Sequence, residues 1–190
     1  MDSLKLPPEL DKLLSDLISL RNYLRDDVKF RFNRVNPFVE DLFSWEEKGR
    51  KWSGKDCVIY DSATIVGDVE IGNNVWVGPF CNIDGTGKLK IGEGTTIASG
   101  CQILTHDTVK STLSKGRHRY EYSFTSIGKF CFIGTKAVVL RGTTIGDHCL
   151  VGACSLINES FPSFSIIVGS PAKRVGEVLL TDNDVELIYY

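Results

Sequence analysis

Aliphatic residues recur along this chain at a spacing of six. Ile59, Ile65, Ile71, Val77 and Ile83 form one run. Ile91, Ile97 and Ile103 resume it after two extra residues, and Ile127, Ile133, Val139, Ile145, Val151 and Ile157 complete it after a longer break. Glycine often follows the aliphatic, as at Gly72, Gly78, Gly92, Gly128, Gly134, Gly146 and Gly152. Four positions after it stands a small or β-branched residue, such as Ala63, Val69, Val75, Thr95, Ala137, Thr143 or Ser155. This period fits neither a helix nor a hairpin meander. It predicts a solenoid in which each hexad supplies one short strand and one corner. Stacked coils then bury a continuous aliphatic column in place of a two-layer core.

Outside the column the pattern changes. Residues 8 to 27, opening on Pro7-Pro8-Glu9, carry Leu10, Leu13, Leu17, Leu20 and Leu24 three and four apart, which predicts a helix with one apolar stripe. Such a stripe packs on the body or on a neighbouring subunit. Residues 38 to 51 form a second short amphipathic segment containing Trp45. Together, residues 1–52 are expected to be a helical cap over the open end of the solenoid, where strand edges need cover. The solenoid itself is expected over 53–175, and 176–190 form a C-terminal tail open to a helical reading. Residues 107–126 interrupt the column with a polar, basic and aromatic excursion, and a long insertion in a regular solenoid points to function.

Composition narrows the classes. The 190 residues carry 22 basic against 24 acidic side chains, a formal charge of −2, so nothing global favours nucleic acid. No apolar run approaches the roughly 20 residues of a membrane span, and the opening MDSLKLPPEL lacks the regions of a signal peptide. The expectation is a cytoplasmic chain. Cys57, Cys81, Cys101, Cys131 and Cys149 all occupy the small-residue position of the repeat, where a free thiol is a compact apolar filler. Cys154 is out of phase.

With Asn36-Pro37-Phe38, Asp41-Leu42-Phe43, Ile83-Asp84-Gly85-Thr86-Gly87, Thr105-His106-Asp107-Thr108 and Val168-Gly169-Ser170-Pro171-Ala172-Lys173, the sequence resembles the hexapeptide-repeat acyltransferases over about residues 36–175. Within them it looks like the sugar O-/N-acetyltransferases of bacterial surface-polysaccharide synthesis. The resemblance implies a mainly β fold, a left-handed parallel β-helix, which departs from the right-handed crossover rule. It also implies acetyl-CoA as acyl donor, an amine- or hydroxyl-bearing sugar or nucleotide-sugar as acceptor, and a homotrimer.

Three histidines make the search for a base short. His106 stands where the column breaks into the excursion, and a neutral imidazole removes a proton near pH 7. The resemblance places the family's catalytic histidine in such a Thr-His-Asp segment. Asp107 or Asp84 would orient the ring, as a carboxylate does in hydrolase triads. Asp84 and Asn82 are also candidates to bind the acceptor, or Asp84 stabilises a turn. His118, in Lys115-Gly-Arg-His-Arg119, meets phosphates or lies on a solvated loop face, and His148 is expected to be exposed at a corner. For coenzyme A the resemblance points to Gly134, Gly152 and Ala153 beside the pantetheine arm, and to Lys173 and Arg174 at the phosphates. Gly85-Thr-Gly-Lys88 is not a P-loop, since Asn82 replaces the upstream glycine and no Ser or Thr follows the lysine. No metal is expected, because the histidines are scattered.

Overall fold

The computed structural model describes residues 7–33, 45–52 and 54–190. The chain divides into two compact units, Met1–Ser44 and Trp45–Tyr190. The first contains helix α1 (Pro8–Phe32), which starts after Pro7 and ends where Asn33 turns left-handed (φ 51°) and its N–H returns to the Lys29 carbonyl. Glu9 and Asp11 in its first turn and Lys29 and Arg31 in its last match the helix dipole. Leu10, Leu13, Leu17 and Leu20 of the expected stripe are exposed. The motif at residues 36–43 lies outside the described residues, and the segment 38–51 is described only from Trp45.

The second unit is a parallel β-solenoid of about six coils with three faces. Strands Val58–Ile59, Trp76–Val77, Thr96–Ile97, Phe132–Ile133, Leu150–Val151 and Ser165–Gly169 stack on the first face. Thr64–Ile71 and Asn82–Ile91 run from the second face into the third. Gln102–Ile103, Val138–Val139 and Leu156–Ile157 continue the second face, while Thr125–Ile127 and Thr144–Ile145 continue the third. Register follows the sequence period. Ile59 lies over Val77, Ile83 over Ile103, and Ile127 over Ile145. All but one of the fourteen column aliphatics are almost fully buried, and Ile65 is partly covered against them. Removing each isoleucine from water contributes about 1.5–3 kcal/mol as an upper bound.

The in-phase cysteines sit inside this core as free thiols, whereas Cys154 is exposed. Their sulfurs meet backbone carbonyls of the adjoining coil, such as Cys131 Sγ to Gly146 O at 3.0 Å. Between the third face and the first, one corner repeats a left-handed residue in each coil: Asn74 (φ 55°), Gly94 (67°), Phe130 (53°), His148 (55°) and Phe164 (63°). Each of these N–H groups bonds back to the coil beneath. His148 stands at a corner, as expected from the sequence, but is half-buried rather than exposed. Its ring stacks between Phe130 at 5.2 Å and Phe164 at 5.1 Å, because equivalent side chains of successive coils lie one strand spacing apart.

Helix α2 (Trp45–Arg50) closes the first coil. Lys48 Nζ donates to the carbonyls of Tyr60, Asp61 and Ala63 at 3.1, 2.7 and 2.7 Å. At the other end the tail is strand, not helix. Ala172–Leu180 pairs antiparallel with Ser165–Gly169, and Val185–Tyr189 pairs with Ala172–Leu180. The open edge of the last coil supplies partners, and the β-branched and aromatic residues of Val185–Tyr189 favour extended backbone. An apolar cavity of about 450 Å³ lies between this hairpin and Phe130, Phe132, His148 and Leu150.

Candidate active site

The chemistry gathers at one corner, between the second and third faces. A six-residue repeat puts the residue after each second-face aliphatic in register, so Asp84, Leu104, Leu140 and Asn158 follow one another up the stack. The two extra residues found in the sequence lie here. Asn82–Ile91 pairs with Thr64–Ile71 through a register shift at Gly67/Val69: Asp84 and Gly85 stay in register, and Thr86-Gly87-Lys88 bulge out opposite Asp68. Gly87 allows the bulge to pass beneath the next coil, since a Cβ there would stand 2.3 Å from Thr105 O. One coil on, the chain leaves the solenoid as the excursion.

Asp84 and His106 meet at this point. His106 Nδ1 is 2.6 Å from Asp84 Oδ2 and 3.0 Å from Thr86 Oγ1. Asp84 is nearly buried, at 5% exposure, and accepts from three further groups. Thr86 N–H reaches Oδ1 at 2.9 Å, and Thr105 N–H and Oγ1–H reach Oδ2 at 3.1 and 3.3 Å. Burial alone would raise its pKa, but these bonds and the imidazole overcome that and hold it at about 2. A fixed carboxylate so placed accepts a hydrogen bond from Nδ1–H and leaves the Nε2 lone pair free for a substrate. Asp84 is thus the residue that pairs with the ring.

Asp107 is not. Its carboxylate turns away to Arg141 Nε and caps the Val109 N–H at 3.0 Å. The ion pair with Arg141 lowers its pKa. The residue after a histidine in a strand points to the opposite face, so sequence neighbours cannot share one proton here. Arg141 also reaches Glu121 at 3.1 Å and Ser123 at 3.1 Å. The excursion is partly ordered by short elements: strand His106–Asp107 pairs antiparallel with Glu121–Tyr122, and helix α3 (Val109–Leu113) lies between them. Tyr122 stacks on His106 with ring centroids 5.8 Å apart. A cavity of about 270 Å³ opens beside the pair, lined by Leu104, His106, Asp107, Leu140, Arg141 and Asn158. The apolar cavity beside the hairpin is larger but contains no comparable acid–base pair.

Asn82, half-buried, begins the strand that carries Asp84. Arg117, His118 and Arg119 are exposed, and Arg117 Nε bonds the Ser114 carbonyl. Gly134 and Gly152 also have a packing role, beside the one the resemblance implies. A Cβ on Gly134 would stand 2.6 Å from Val151 O and Ala153 N, and one on Gly152 would stand 2.7 Å from Val168 Cγ1. Gly134 is required by the backbone of the neighbouring coil, whereas Gly152 is crowded by the Val168 side chain alone. Ala153, Lys173 and Arg174 are exposed, with Lys173 paired to Glu159 at 2.7 Å and Arg174 to Glu177 at 3.4 Å. Among the described residues no group of three His, Cys, Asp or Glu side chains is placed to hold a metal ion. Nor is any described helix long and apolar enough to cross a membrane. Sequence reasoning did not find Thr86, Thr105, Glu121, Tyr122, Arg141 or Asn158. None of these carried a distinguishing signal: Arg141 is a charged residue two places after a column aliphatic, but so are Asp61, Glu93, Lys129, Asp147 and Glu159.

Residues 124–159 match the model of the bacterial transferase hexapeptide (six repeats). The carnitine operon protein CaiE of Proteus sp. (strain LE138) is 28% identical over 134 residues, 67% of each chain, and its name gives an operon and no reaction. A maltose O-acetyltransferase from Clostridium difficile 630 superposes with TM-score 0.60 at 23% identity, covering 85% of this chain and 87% of its own. AntD, an N-acyltransferase from Bacillus cereus solved with dTDP and 3-hydroxybutyryl-CoA, gives TM-score 0.60 at 19% identity, covering 71% of this chain and 88% of its own. A variant of AntD was solved with dTDP-4-amino-4,6-dideoxyglucose and coenzyme A. By its repeat and its fold, this chain is similar to the hexapeptide-repeat transferases.

Proposed function

We propose that this protein transfers an acetyl group from acetyl-CoA to a hydroxyl or amine of a sugar, with His106 as general base. The observation that carries the reading is the Asp84–His106 pair, 2.6 Å apart, at the mouth of a cavity on the coil corner. Acetyl-CoA would supply the acyl thioester. Asp84 holds the imidazole with its proton on Nδ1. His106 Nε2 accepts the proton of the acceptor as its oxygen or nitrogen bonds the acyl carbon, and returns it to the departing sulfur. No covalent acyl-enzyme is required, so the cysteines, five of them buried, have no part in the transfer.

Ala153 leaves room on the surface for the donor. The exposed Lys173 and Arg174 would exchange their surface carboxylates for coenzyme phosphates at little cost, since such pairs contribute about 0–1 kcal/mol. A nucleotide-linked amino sugar is the acceptor we favour, on the strength of the ligands in AntD. We further propose a homotrimer, because three flat-faced prisms bury one face each under cyclic symmetry, and a cytoplasmic location, because all six thiols are free. The test is thiol release from acetyl-CoA with a panel of nucleotide-amino sugars and simple sugars. His106→Ala should lower turnover about 10²–10⁴-fold with little change in coenzyme A affinity. Near-normal turnover in that variant removes His106 from the mechanism.

A further inference from the structure

The excursion returns to the corner as a two-residue ribbon, and the geometry of that ribbon links His106 to a residue that never touches it. In an antiparallel pair, directly opposed residues share a face and successive residues alternate. His106 opposes Tyr122, and Asp107 opposes Glu121. One face of the ribbon therefore presents the imidazole–phenol stack, with centroids 5.8 Å apart and planes 25° apart. The other presents two carboxylates, and both meet the single guanidinium of Arg141. A third nitrogen of the same group donates to Ser123 Oγ at 3.1 Å, the residue that follows Tyr122. Ser123 N–H in turn bonds Thr105 O at 2.9 Å, next to His106.

Resting on the assignment of His106 as base, we propose that Arg141 is a positioning residue: by clamping Asp107, Glu121 and Ser123 it holds Tyr122 against the imidazole. Arg141 belongs to the coil above the excursion, so it ties both feet of the loop to the rigid stack. The three contacts are made at about a third exposure or less, where each ion pair alone adds little. Their value is geometric. A planar fork addresses three acceptors at once, which a lysine ammonium on a flexible stem does not reproduce. Lys110, 2.8 Å from Glu121, supports only one foot. Once the ribbon is held by its carboxylate face, the half-exposed tyrosine on the opposite face is kept over the imidazole, which Asp84 holds through Nδ1.

The test compares Arg141→Met, Arg141→Lys and Tyr122→Leu by NMR of the three histidine rings and by steady-state kinetics. Tyr122→Leu removes the ring current and shifts the His106 carbon-bound protons. Arg141→Met is expected to move the same resonances in the same direction. It should also lower kcat about tenfold, with KM for acetyl-CoA changed less than about twofold. Arg141→Lys should fall between. Resonances of His106 that stay in place in Arg141→Met, while Tyr122→Leu moves them, overturn the proposal. Resonances that move with turnover unchanged overturn the positioning role of Arg141, while the base role of His106 is judged separately by His106→Ala. Should Arg141→Met fail to fold, Arg141→Lys gives the same reading, and a lysine variant identical to the parent in both measurements refutes the need for a fork.

Discussion

Replacing Asp84 by Asn tests the centre of the site at almost constant volume. The carboxylate accepts hydrogen bonds from Nδ1–H at 2.6 Å and from three further donors on Thr86 and Thr105. An amide keeps one acceptor atom and turns the other into a donor. Facing Nδ1, that NH₂ favours the tautomer protonated on Nε2, and the lone pair needed for the acceptor is lost. The comparable carboxylate-to-amide change in a hydrolase triad costs about 10⁴ in turnover. A loss of about 10²–10⁴ is expected here, read as thiol release with the best acceptor.

The same substitution has a signature independent of activity. The Asp84 pKa is held at about 2 against an ordinary 3.8, so the ionised group contributes roughly 2 kcal/mol of stability at neutral pH. That contribution is complete above about pH 4 and is lost as pH falls towards 2, because protonation then removes the hydrogen-bond acceptor. Urea unfolding of the parent should weaken by roughly this amount over that window. Asp84→Asn should lack this component, leaving only the titration of the other acids. A variant that keeps turnover within about threefold of the parent would refute the tautomer argument. One that loses the same stability between pH 4 and 2 would refute the account of the buried carboxylate.

Denatured without reductant, the chain should titrate all six thiols, while in the native state only Cys154 should react quickly, as mass spectrometry after alkylation would show. Two or more disulfides would remove the filler role of the in-phase cysteines. Gly134→Ala should lower the melting temperature sharply, by several degrees for each kcal/mol of overpacking, because the new Cβ meets backbone at 2.6 Å. A variant with normal stability but weakened coenzyme A binding would instead return Gly134 to the donor groove. Mixing His106→Ala with Lys173→Ala should restore part of the activity if the base and the phosphate anchor come from different subunits. A fully active monomer by sedimentation equilibrium would end the trimer proposal.

The solenoid was legible because its information is local and repeated. Burial of a column needs an aliphatic at every sixth position, and Ile59 to Ile157 keep that rhythm whether or not the chain is folded. The placement of Cys57, Cys81, Cys101, Cys131 and Cys149 followed from the same phase. His106 was legible for a related reason, since it stands where the rhythm fails. The tail was read less well: Val185–Tyr189 becomes a strand only because the last coil offers an edge that no local pattern announces. His148 gained its aromatic neighbours in the same way, from coils one turn below and above.

At the site, the sequence by itself determined which coil corner breaks and that a histidine and two aspartates lie near the break. Only the tertiary structure decided which aspartate serves the histidine. Asp107 adjoins His106 in the chain but alternates to the opposite face of its strand and is taken by Arg141. Asp84 is 22 residues away, yet one coil beneath, in register just before the two-residue bulge, and its carboxylate reaches the ring. Stacking turns separation in sequence into contact in space. The pairing joins side chains of two neighbouring coils, a condition that no single stretch of the chain contains.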